Sequence, residues 1–96
     1  MKADYDSKAD ALSIDLIEAS RWEDSEEVEP RLNVAIANEM PVNIELLYPG
    51  LGVEKPLQVV AARYGLDAEA LVAAARAAIA APDRTVTLDV SVRAAA

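Results

Sequence analysis

The chain has no cysteine, no histidine and no phenylalanine, only one tryptophan, and just three glycines in 96 residues. Without Cys or His there can be no disulfide, thiolate nucleophile, imidazole base or Cys/His zinc site. That removes most of the common catalytic constellations, and the expectation is no enzyme, no catalytic residue, no metal site and no cofactor. With no Phe, the 53% hydrophobic residues are mostly Ala, Val, Leu and Ile, so the core must be aliphatic and thin. No apolar run approaches the roughly 20 residues of a membrane span. The N-terminus, MKADYDSKAD, is too polar for a secretory signal. A cytoplasmic protein without a membrane partner is the expectation.

Positive charge is also scarce. Nine Lys and Arg face seventeen Asp and Glu, for a net charge of -8. Residues 1–29 hold ten of the acids against Lys2, Lys8 and Arg21. Affinity for bare nucleic acid rests on basic groups neutralising phosphates, so nucleic acid is a poor partner. A basic protein is an electrostatically reasonable one, beside the plainer reading that the charge keeps a small protein soluble.

Periodicity organises the chain. In YDSKADALSIDLI (residues 5–17), Leu12, Ile14 and Leu16 alternate with Ser13, Asp15 and Ile17, the mark of a strand with one buried face. Residues 2–5 can pair back on it across a loop from Asp6 to Asp10, where the two Asp side chains bond the turn's own backbone. Residues 18–30 read as an acidic, solvated loop with at most a short edge strand near Val28. Trp22 within it is expected to fold onto its own domain, with an exposed anchor for another chain as the alternative. Glu26 and Glu27 are the other candidate interaction residues. The segment has no glycine and no calcium-loop spacing.

Two further alternating runs, Arg31–Ala37 and Val42–Leu46, flank a turn at Asn38-Glu39 and predict a second hairpin, with Pro41 opening its second strand. Leu32, Val34, Ile36, Val42, Ile44 and Leu46 should point inward. If these strands are neighbours, Ser13, Asp15, Asn33, Asn43 and Glu45 share the outer face. Paired carboxylates there could bind a small ligand or do acid/base work, though a flat solvated face is the simpler expectation.

Tyr48-Pro49-Gly50-Leu51-Gly52 breaks the pattern. The single domain 1–96 then divides into a β-rich part (1–51) and a helix-helix-strand part (52–96). Pro56 suits a first helical position, and Leu57, Val60, Ala61 and Tyr64 share one helical face. Gly65 ends this helix and Asp67 caps the next, over residues 68–80, whose apolar stripe is Leu71, Val72, Ala75 and Ile79. Pro82 ends it, and Thr85–Val92 alternates as a last strand before a frayed tail. The helical pair has a helix-turn-helix outline. Its second helix offers only Arg76 as a base and no Asn, Gln or Lys to meet base edges, so packing on the sheet is the better reading.

The motifs Tyr5-Asp6-x-x-Ala9-Asp10-Ala11-Leu12-x-Ile14-x-Leu16, Ser25-Glu26-Glu27-Val28 and Val42-x-Ile44-Glu45-x-Leu47 resemble the small bacterial family called domain of unknown function 2283. The resemblance runs to about Leu51. It implies a small antiparallel β module and no catalytic residue. Some members are similar to proteins encoded beside ribonuclease-like toxins and are suspected antitoxins, which would suit an acidic chain facing a basic partner. The family's usual Asp-x-x-x-Gly turn is here Asn38-Glu39-Met40-Pro41, and Asn43 stands where a Gly precedes the Ile-Glu pair.

The expected fold is α+β: an antiparallel sheet of four to five strands with two helices packed on one face. The expected function is a non-catalytic interaction module acting as a homodimer, associating by sheet edge or by the Ala-rich helix. The alternative is a ligand-binding or carboxylate-based catalytic protein using the polar sheet face.

Overall fold

A computed structural model describes residues 1–17 and 21–89. Its strands are β1 (Lys2–Asp6), β2 (Ala11–Asp15), β3 (Asp24–Glu29), β4 (Leu32–Ala37), β5 (Met40–Leu47) and β6 (Thr85–Thr87). A 3-10 turn (Pro49–Leu51) leads into α1 (Glu54–Tyr64) and α2 (Ala68–Ala80). The six strands form one sheet in the order β3-β4-β5-β2-β1-β6, and every adjacent pair is antiparallel. The α+β class is as expected, but the sheet has six strands rather than four to five. The extra strand is β3. Its acids made residues 24–29 read as loop, yet an edge strand needs only one bonded neighbour and tolerates charge on its free side.

Period-2 alternation places Leu12, Ile14, Leu16, Leu32, Val34, Val42, Ile44 and Leu46 among the buried residues. All but Val42 join one core cluster with Leu57, Val60, Leu71, Ala74, Ala75 and Ala78 from the helices, so both halves of the chain share a core. Truncating one of its fully buried leucines to Ala should cost about 2–5 kcal/mol. A bulge between Ala35 and Ile36 shifts the β4–β5 register. Ile36 ends half-buried as a result, while Ala35, on the outer face, is shielded by its neighbours.

The two-residue turn Asn38-Glu39 has φ of 52° and 65°, the doubly left-handed turn that suits a twisted hairpin. Helix α1 begins at Glu54, so Pro56 is its third residue rather than its first. Gly65 ends it at φ 68° with its N–H on the Ala61 carbonyl. Asp67 caps α2 by accepting from the Glu69 and Ala70 N–H groups. The buried face of α2 is Ala70, Leu71, Ala74, Ala75 and Ala78. Val72 is only half-buried and Ile79 exposed, contrary to the expected stripe. The small alanines let α2 lie close on β1 and β2, which leaves the bulkier branched side chains at its rim. Residues 88–89 follow β6 without strand assignment. The rest of the expected last strand, and the expected frayed tail, lie largely outside the described residues.

Candidate functional site

The register of five strand pairs lays out the outer sheet face in two rows. One runs Thr87, Lys2, Asp15, Asn43, Ala35, Ser25, and the other Thr85, Asp4, Ser13, Glu45, Asn33, Glu27. The four candidates Asp15, Asn33, Asn43 and Glu45 are thus brought onto one surface. The Asn43 amide sits across from Asp15 and donates to its Oδ1 at 2.7 Å and to the Ser13 hydroxyl at 2.8 Å. Glu45 lies between Ser13 and Asn33.

Asp4 joins this face as a residue the polar-face reading missed. The signal was available, since pairing residues 2–5 back on β2 sets Asp4 opposite Ser13. Partial burial, then the charges of Asp15 and Asp6, push the Asp4 carboxyl above its ordinary value. The face therefore carries Asp4, Asp15, Glu27 and Glu45, with Lys2 in the same row as Asp15. Among the described residues no group of three or more acids is arranged to hold a metal ion.

The interaction candidates separate. Glu27 faces outward with the acids above. Glu26 is opposite Val34 and so points to the helix side, where it accepts from the Tyr64 hydroxyl at 2.9 Å and pairs with Arg63. Burial and the bond to Glu26 push the Tyr64 phenol up. Glu26 thus ties the edge strand to α1 and is not a free contact. Trp22 is 54% exposed instead of folded onto the domain. The segment is held by the Glu23 N–H on the Ile36 carbonyl, and its acidic neighbours keep it in water. Because Ala37 pairs with Met40 and Asp24 with Ile36, Trp22 lies at the same end of the sheet as the exposed Ile17 and Met40.

At the opposite end, a cleft of about 770 Å³ opens beside the first hairpin, bordered by Tyr5, Asp10, Pro49, Val53, Lys55 and Ile79. The Tyr5 hydroxyl donates to Asp10 at 2.6 Å there, which pushes its own ionisation up. Asp6 bonds the turn N–H groups of Lys8 and Ala9, as expected of a turn Asp. The Ser7 N–H and hydroxyl both bond Asp83, whose carboxyl they hold below the usual range. Arg76, the one base on the second helix, pairs with Glu54 of α1 at 2.6 Å.

Arg31 crosses between the two halves of the chain. Its guanidinium donates to the carbonyls of Leu47 at 3.1 Å, Tyr48 at 3.0 Å and Gly52 at 3.0 Å. It thereby fixes the segment that turns the sheet into the helices, a role that sequence periodicity does not signal.

No described helix is long and apolar enough to cross a membrane. No curated protein and no solved structure matches the chain. The helical pair and β6 lie outside the residues that a family model matches. Residues 2–48, which span β1 to β5, match the family model described as "Protein of unknown function (DUF2283)", so the N-terminal part of this chain is similar to that family.

Proposed function

We propose that the chain is a non-catalytic, cytoplasmic interaction module that works as a homodimer and presents an acidic surface to a basic protein partner. The observation that supports this reading best is the outer sheet face. Asp4, Asp15, Glu27 and Glu45 stand on one flat, solvated surface, which suits a broad complementary contact better than the enclosed site that carboxylate chemistry uses. An antitoxin-like role against a basic partner belongs to the same reading and draws support from the charge. Trp22, at the end of this sheet, would add an aromatic anchor.

The test is capture of a partner from the host's own lysate on immobilised protein. Capture should be salt-sensitive and lost in the charge-reversal variant E27K/E45K. A thermal-shift response to a metal ion or metabolite, abolished by Asp15→Asn, would instead favour the ligand-binding alternative.

A further inference from the structure

The two edges of the sheet are not alike. The β3 edge carries Asp24, Glu26, Glu27 and Glu29 with a register shift between Glu27 and Glu29. Charge and irregularity are devices that keep an edge from pairing. The β6 edge is Thr85-Val86-Thr87, uncharged, and its pairing with β1 is regular. No described strand lies beyond it.

The direction of its backbone groups follows from the ladder. The Leu88 N–H bonds the Met1 carbonyl and the Met1 amino group donates to the Leu88 carbonyl, so Leu88 turns both its polar backbone groups toward β1. In an antiparallel ladder this alternates, so Val86 does the same. The N–H and C=O groups of Thr85, Thr87 and Asp89 therefore point to the open edge. Val86 and Leu88 are half-buried, and Leu88 packs against the core cluster.

Resting on the homodimer reading above, we propose that this edge is the dimer interface. Segment 85–89 of one copy pairs antiparallel with segment 85–89 of a second copy, about a two-fold axis at Thr87, to give one continuous sheet. The register is self-complementary. Thr87 meets Thr87 of the second copy, Thr85 meets Asp89 with a hydroxyl against a carboxylate, and Val86 meets Leu88 on the helix side. That last contact extends the apolar face across the junction. A second copy is favoured over a foreign strand because each residue finds a matching partner in its own segment. The same operation at β3 would set carboxylates against carboxylates.

The test is sedimentation of the whole chain with Thr87→Pro. The Thr87 N–H faces outward, so proline removes no bond to β1. It does remove two hydrogen bonds from the junction, and the dimer should weaken by about 30-fold. A second variant, Thr87→Lys, keeps every backbone donor and sets two ammonium groups against each other at the two-fold axis, the charge that natural edge strands use against pairing. It should weaken the dimer likewise, with an unchanged circular dichroism spectrum. The wild-type dimer should tighten as salt rises, because two copies of net charge -8 repel. If both variants dimerise as tightly as wild type, the β6 interface is wrong and the homodimer survives. If wild type is a monomer at several hundred micromolar, both fall. Weakening with salt would mean that attraction between unlike charges holds the dimer, which this uncharged edge does not supply, and would overturn the proposal.

Discussion

Replacing Arg31 by alanine should destabilise the fold more than a half-buried surface residue normally does. Its guanidinium serves three carbonyls, on Leu47, Tyr48 and Gly52. A hydrogen bond to a charged donor contributes about 1.5–3 kcal/mol. Two of the three bonds are exposed, and water replaces most of what is lost there. The Leu47 bond is partly buried. The sum for Arg31→Ala is therefore about 2–3 kcal/mol, well short of simple addition. In a domain of this size that lowers the melting temperature by about 10–20 °C. Arg31→Lys is the sharper comparison, because a single ammonium cannot span three acceptors on two sides of a turn. It should recover less than half of the loss. Urea unfolding followed by circular dichroism measures both. A change below about 0.5 kcal/mol for Arg31→Ala, or full recovery by lysine, would refute the reasoning.

Glu39 holds φ 65° in a two-residue turn, a conformation that costs a side-chain-bearing residue about 1–2 kcal/mol. Glu39→Gly should stabilise by about 0.5–1 kcal/mol after the added entropy of the unfolded chain is counted, read as a higher melting temperature. Asp4 has a folded-state pKa above its unfolded value, so its ionisation weakens the fold: stability falls as pH rises through that window, and the penalty is complete above it. Asp4→Asn should accordingly stabilise at pH 7, and the gain should vanish below about pH 4. Asp83 has the opposite sign. Its folded value is lowered by Ser7, so the bond's contribution is present at neutral pH and is lost as pH falls through the lowered value; Ser7→Ala should flatten that part of the acid unfolding curve.

The strands legible in the sequence were those with one apolar face. Leu12, Ile14 and Leu16, then Val34, Ile44 and Leu46, announce themselves by period 2, and all are buried in the structure. The second helix was legible for a different reason, since Asp67 and Gly65 are residue types with few other uses at such positions. Strand β3 was hidden because neither of its faces is apolar, and Glu26 is held by contacts with Arg63 and Tyr64 that no local pattern encodes. The α2 stripe was misjudged because bulk was taken as the guide to burial, whereas close helix-to-sheet approach favours Ala74 and Ala78 over Ile79. Asp15, Asn33, Asn43 and Glu45 share the outer face because alternation fixes which residues face outward once strands are neighbours. Asp4 joins that face only once β1 is paired back on β2, which sets it opposite Ser13.

Sedimentation equilibrium on the wild-type chain, run over a range of concentrations and at two salt levels, tests the central claim most directly. A mass of twice 10.2 kDa, held more tightly at the higher salt, is the predicted result. A constant mass of 10.2 kDa at several hundred micromolar would contradict it.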